Sequence, residues 1–238
     1  MKPNELGSNR HAVESHIVPF AGGITLAGLI ESDYKLLSVL SRLDMHLGFG
    51  DITVEDACRK YGLSTELFLM ICSIYAFDEY EPVADSLSGD DVRRIIRYLR
   101  LSHSYYLNVQ LPKIQQGIVA LASDCNDIQE KVLVKFFEEL VAEIDNHFEY
   151  EERMFSDIER RLSDPAADPC AMFETDGAHD DIGDKIDDVK SIVIKYLPET
   201  CPTELRLSVL AEIYRLREDI GKHILIESRL LAPALKNL

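Results

Sequence analysis

The chain has 238 residues, 46% of them hydrophobic, enough to bury one sizeable core or a main domain with a small companion. Its 25 basic and 42 acidic residues leave a formal net charge of -17, so neither nucleic acid nor an anionic membrane is an expected partner. Cys58, Cys72, Cys125, Cys170 and Cys201 are odd in number and contain no C-x-x-C pair, a usage that fits a reducing compartment, and a cytoplasmic location is expected.

Residues 1–28 are polar and then Gly-rich, which predicts an irregular lead-in with solvated His11 and His16. The apolar run from Ile17 to Ile30 is broken by Pro19, Gly22, Gly23 and Gly28 and has no basic flank. It reads as neither a signal peptide nor a membrane span. Residues 29–80 read as a small helical domain: one helix through Tyr34, Leu37, Leu40 and Leu43, a second opened by Thr53 as N-cap with Asp56 at N3, and a third through Phe68, Ile71 and Ile74. Gly62 to Thr65 separates the last two. Residues 81–89, with Pro82 and several acids and serines, read as the linker.

Residues 90–238 hold four long amphipathic patterns. The first runs from about Val92 to Leu121, with a kink expected at Pro112. The second spans about Ile128 to Leu162, the third begins near Met172 or Thr175 and ends at Leu197, and the fourth covers about Thr203 to Ala234. Short connections between long helices predict an all-α fold, an up-down-up-down four-helix bundle with the small helical domain in front of it.

Polar residues interrupt the oily stripe of every helix in this bundle. On the second, Ile144, Phe148, Phe155 and Ile158 set a phase that also turns His147 and Glu151 inward, and on the fourth Ile213, Leu216 and Ile220 do the same for His223 and Glu227. Each His-x-x-x-Glu pair shares one helical face. His103 sits four after Leu99 on the first helix, and His179 three before Ile182 on the third. One inward histidine is commonly a hydrogen-bonded core residue. Six inward polar groups spread over four helices would be a costly way to build a metal-free core, because an uncompensated buried carboxylate costs several kcal/mol. Imidazole and carboxylate donors without thiolate suit iron, manganese or zinc. Four nitrogens and two carboxylates exceed the needs of one ion, and two ions sharing the carboxylates as bridges account for them.

His103 followed by Leu111-Pro112, then His147-x-x-x-Glu151-Glu152, His179-Asp180 and His223-x-x-x-Glu227 together resemble the hemerythrin-like di-iron family. Within it they look like the branch called repair of iron centres, whose members use four histidines and two bridging glutamates. Residues 29–80, above all Leu43-Asp44-Met45 and Thr53 to Cys58, are similar to the small N-terminal domain of that branch. Where the branch carries an adjacent cysteine pair, this chain reads His46-Leu47-Gly48-Phe49-Gly50, and His46 is expected to be a turn residue. The spacing from His103 to Leu111-Pro112 is one residue longer than in the family.

The resemblance implies two non-haem iron ions, oxo- or hydroxo-bridged, held by His103, His147, Glu151, His179, His223 and Glu227. It also implies a role in restoring iron-sulfur proteins damaged by nitric oxide or oxidants, with those proteins as partners and iron donation as the means. The alternative is a protein that reversibly binds or senses oxygen or nitric oxide. Redox turnover is a further reading, with Tyr105, Tyr106 and Tyr150 near the ligands, although such tyrosines are more often packing groups. The family's dimers form through the N-terminal domain, so a homodimer is expected to be possible here.

Overall fold

The computed structural model describes residues 19–84, 87–164 and 176–236, with residues 176–180 described by their backbone alone. The lead-in through residue 18 with His11 and His16, the Pro165 to Cys170 part of the expected loop, and the side chain of His179 lie outside the described residues.

Four short helices come first: α1 (Leu26–Ser32), α2 (Leu36–Arg42), α3 (Val54–Tyr61) and α4 (Thr65–Ala76). The irregular lead-in expected through residue 28 ends earlier, because the Thr25 hydroxyl accepts from the Gly28 amide at 3.1 Å and caps α1. Leu26 and Val54 amides bond to the Ile52 and Ile24 carbonyls, each at 2.9 Å, and tie the starts of α1 and α3 together. Thr53 caps α3 through the Asp56 amide at 3.1 Å, as its spacing predicts. Gly62 closes α3 at a φ of 66°, a left-handed turn that glycine adopts at little steric cost, and Ser64 caps α4. Every residue of α4 from Leu67 to Tyr75 is buried, so this helix is the centre of the N-terminal unit rather than one of its faces.

The bundle follows. Its first helix is α5 (Gly89–Tyr105), opened by a capping box between Ser88 and Asp91, and it continues through a π-helical turn at Tyr106–Gln110 into α6 (Leu111–Ala122). Next come α7 (Asp127–Ser163), 37 residues without a break, and α8 (Asp176–Lys195). The last helix is α9 (Thr203–Ile226), which passes through a second π turn at Glu227–Leu231 into α10 (Ala232–Lys236). The chain is an all-α bundle with an N-terminal helical region, and among the described residues the only β pairing is the isolated Thr25–Thr53 bridge. Among those residues no helix is long and apolar enough to cross a membrane.

The two π turns have a common cause. Pro112 and Pro233 each stand two residues past the end of one, at Gln110 and Leu231. Proline lacks the amide hydrogen an α-helix requires, and its ring crowds the carbonyl four residues back. A π turn adds one residue to the turn and shifts the hydrogen-bond ladder, so the chain accepts the ring while staying helical. The kink expected at Pro112 therefore takes the form of a widened turn over Tyr106–Gln110.

Buried apolar side chains form two clusters. One joins the N-terminal helices to Val92, Leu99, Phe155 and Ile158 and to Ile226 and Leu231, so the small unit and one end of the bundle share a core. The other fills the opposite end, with Ile114 and Ile118 of α6, Phe137 and Ile144 of α7, Val189 of α8 and Ile213 of α9. The tightest approach at that end is between α6 and α9, where a Cβ on Gly117 would stand 2.4 Å from Val209 Cγ2. Gly117→Ala should therefore lower the unfolding free energy by about 1–3 kcal/mol through overpacking. Adding Val209→Ala should recover part of that loss, as urea titration of the two variants will read.

Candidate metal centre

Three helical stretches of the bundle, α5–α6, α7 and α9–α10, pass from one apolar cluster to the other, and the polar residues sit where they cross. The described buried apolar side chains of α8 lie in the second cluster alone. On α5, His103 separates Leu99 of one cluster from Tyr106 of the other. On α7, His147 and Glu151 mark the change from Ile144 to Phe155, and on α9 His223 lies between Ile220 and Ile226. Glu227 opens the π turn that follows. All five are buried: His147 is 9% exposed, His103 4%, Glu151 and His223 1% each, and Glu227 0%. Residue 179 is in the first turn of α8, and its side chain is outside the described residues.

The two oxygens of Glu151 face different histidines. Oε1 lies 2.7 Å from His147 Nε2, whereas Oε2 lies 2.8 Å from His103 Nε2 and 3.6 Å from His223 Nε2. His103 and His223 bring their Nε2 atoms to 3.3 Å of each other, and Glu227 Oε1 stands 3.5 Å from His223 Nε2. Donor atoms of His103, Glu151 and His223 all lie within 4.8 Å of one another, a spacing that can hold a metal ion. The His103 ring is stacked on Phe148, centroids 4.0 Å apart, and on Phe155 at 5.7 Å. Aromatic faces thus hold the plane of that imidazole and keep water from it.

A further layer orients the ring from its other nitrogen. Glu152 Oε1 is 3.1 Å from His103 Nδ1, on the opposite side of the ring from Glu151. Glu152 is itself held by Arg100 Nε at 2.8 Å, and Arg100 reaches both carboxylate oxygens of Glu159 at 2.9 Å. A carboxylate on one imidazole nitrogen leaves the other free to ligate. This was legible only in part: Glu152 belongs to the sequence motif, but nothing in the periodicity pairs a residue on the outer edge of α7 with His103.

The electrostatics ask for positive charge. Burial by itself would lower the pKa of His223, but the carboxylates of Glu227 and Glu151 outweigh it and push the value from 6.5 up to about 10. A proton therefore sits among these carboxylates at neutral pH when no metal does. Nitrogen and carboxylate donors converging on buried anionic groups are a chemistry that fits a divalent cation, and Glu151, with one oxygen toward each histidine group, has the disposition of a bridging carboxylate.

The remaining sequence candidates separate clearly. His46 is an exposed turn residue, 3.4 Å from Asp44, outside the cluster. Tyr106 is fully buried and meets the His223 ring edge-on at 6.0 Å, with its hydroxyl donating to the Asp219 carbonyl at 3.1 Å. Tyr105 is half-buried beside the Arg42 guanidinium, and Tyr150 is 44% exposed. Sequence reasoning passed over Asp219, although it lies four residues before His223 on the same face.

A family model described as the Hemerythrin HHE cation binding domain matches residues 83–235. No curated protein matches the chain.

Two outcomes follow from this geometry. The raised pKa of His223 means its proton stabilises the metal-free fold fully below pH 6.5, and that contribution is lost as pH rises through about 10. Calorimetry on metal-free protein should show the melting temperature falling over that interval, with a flatter fall in Glu227→Gln. Glu152→Ala should weaken metal binding by about 10- to 100-fold while leaving the far-ultraviolet spectrum unchanged, as competition with a chelator will read.

Proposed function

The chain belongs to the hemerythrin HHE cation-binding family, and from that premise we propose that it is a cytoplasmic non-haem di-iron protein that helps repair iron-sulfur centres damaged by nitrosative or oxidative stress, by donating iron. One observation supports this most: the two oxygens of a single buried carboxylate, Glu151, are directed at two histidine groups. In this reading His103, His147, Glu151, His223 and Glu227 would hold the iron, together with the His179 expected from the sequence. Bound there, iron supplies a redox-active centre with room for an oxo or hydroxo bridge.

The donor set suits iron that must leave again. Imidazoles surrender a metal when protonated, and the candidate donors His103, Glu151 and His223 include no thiolate. The N-terminal helical region, similar in sequence to that of the repair branch, supports the same reading. The clients are then iron-sulfur proteins lacking iron, with no part for nucleic acid or membrane. A reversible oxygen or nitric oxide binder is the second reading, and the observation in its favour is the turn at residues 46–50, which reads His-Leu-Gly-Phe-Gly without a cysteine pair.

Protein purified from iron-replete cells should contain about two irons per chain and show oxo-bridge absorption bands, lost in Glu151→Ala and Glu227→Ala. Mixed with an iron-depleted iron-sulfur protein, it should give up that iron and restore the acceptor's activity. Zinc or no metal would refute the di-iron reading. Iron that stays in place while oxygen or nitric oxide binds reversibly would replace donation with gas binding.

A further inference from the structure

Beyond the shared apolar core, the N-terminal helices make charged contacts with the bundle along the stretch of α9 and its π turn that carries His223 and Glu227. Arg42, the last residue of α2, is 5% exposed. Its guanidinium is bonded to the carboxylate of Asp219, one contact being Nη1 to Oδ1 at 3.0 Å, and it also donates to the hydroxyls of Tyr75 and Tyr98. Tyr75 of α4 donates to Asp219 Oδ1 at 2.8 Å, and Tyr98 of α5 donates to Tyr75 at 3.1 Å. The Arg42 guanidinium lies 5.1 Å from the centre of the Tyr106 ring, the ring that meets His223 edge-on. Burial holds the phenols of Tyr75, Tyr98 and Tyr106 neutral, so the charge balance here is between Arg42 and Asp219.

Two cations make the reverse connection. Lys222, the neighbour of His223, is 5% exposed and donates to the Ile74 carbonyl at 2.9 Å and to Asp78 Oδ1 at 2.6 Å, both at the C-terminal end of α4. Arg229 donates to the carbonyls of Asp78 at 2.8 Å and Tyr80 at 2.7 Å. Positive charge at the carbonyl end of a helix is favourable, so α4 and α9 are held by complementary charge on both sides. Asp219, Lys222 and Arg229 bracket the two ligands within a stretch of eleven residues.

We propose that the N-terminal helices are a clamp on the ligand pair of α9, with Arg42 and Asp219 as positioning residues that act through His223 and Glu227 and set how fast bound metal is released. Three of the five described ligand side chains belong to α5 and α7. The charged groups that the clamp holds, Asp219, Lys222 and Arg229, all stand beside His223 and Glu227, whereas α5 makes its polar contact with the clamp through the Tyr98 hydroxyl. Loosening the ion pairs therefore opens the α9 side of the centre first. The rate of release, but not the identity of the ligands, is then a property of the N-terminal unit. The inference rests on the metal-centre reading above, and its test includes a readout that needs no metal.

The full chain, loaded with ferrous iron, is challenged with excess ferrous chelator and release is followed by absorbance. Arg42→Met should release iron about 10- to 100-fold faster than the unaltered protein, and Arg42→Lys should recover part of the difference. Should Arg42→Met not fold, Asp78→Asn carries the test, because the Asp78 side chain is 87% exposed and its loss frees Lys222 without opening the core. Leu133→Ala, in the cluster at the far end, is the control for general destabilisation. Release at the unaltered rate in the clamp variants, or equal acceleration in Leu133→Ala, overturns the proposal. Amide hydrogen exchange on the metal-free chain separates this from failure of the di-iron reading: Arg42→Met should speed exchange in residues 219–231 and leave residues 136–151 of α7 unchanged. If the unaltered protein binds no iron but that pattern appears, the grip on α9 stands and the di-iron reading falls. Without the pattern the clamp falls as well.

Discussion

A carboxylate held 1% exposed between imidazoles is the constraint on which this architecture depends. Glu151 cannot be solvated where it is, and an anion in an apolar interior is tolerated only when cations or protons surround it. The structure meets that requirement by bringing His103, His147 and His223 to its two oxygens from three helices. The first, second and last helical stretches of the bundle each carry one apolar cluster, the polar crossing, and then the second cluster. The site is placed at the seam between the clusters, where water is excluded on both sides and a cation gains most from the buried charge.

The scaffold around that seam shows how irregularities serve the site. Two prolines would break α5–α6 and α9–α10 if those helices were strictly α-helical, and in both cases the chain takes a π turn beside a ligand-bearing segment. One turn follows His103 by three residues and places Tyr106 against His223. The other starts at Glu227 itself. The backbone adjustment that accepts each proline is thus also part of the ligand geometry, which is why π turns concentrate near functional groups.

The N-terminal unit fits the same logic. It is continuous with the bundle through a shared apolar cluster and through charged groups pointing both ways across the boundary, Arg42 inward and Lys222 and Arg229 outward. A buried guanidinium is costly unless hydrogen-bonded, and two tyrosines and an aspartate engage the two Nη groups of Arg42 in a way an apolar contact would not specify. Such a boundary fixes orientation as well as adhesion. On α9 and its π turn the groups at this boundary, Asp219, Lys222 and Arg229, flank His223 and Glu227.

Period and spacing were enough to read the helical class, the long helices, the Thr53 cap and the inward turn of His103, His147, Glu151, His223 and Glu227, because an inward polar residue at 3.6-residue periodicity is visible in one dimension. Local chemistry missed one helix: three were expected in residues 29–80, and α1 (Leu26–Ser32) is an additional one before them, since a threonine cap and two backbone bonds between residues 24–26 and 52–54 outweigh the glycines. The tertiary structure alone decided which groups meet. That Glu151 turns one oxygen toward His147 and the other toward His103 and His223, that Glu152 backs His103, and that Arg42 finds Asp219 across 177 positions of chain are matters of helix packing angle and register. Sequence periodicity records which way a side chain faces on its own helix; it holds no record of what stands opposite.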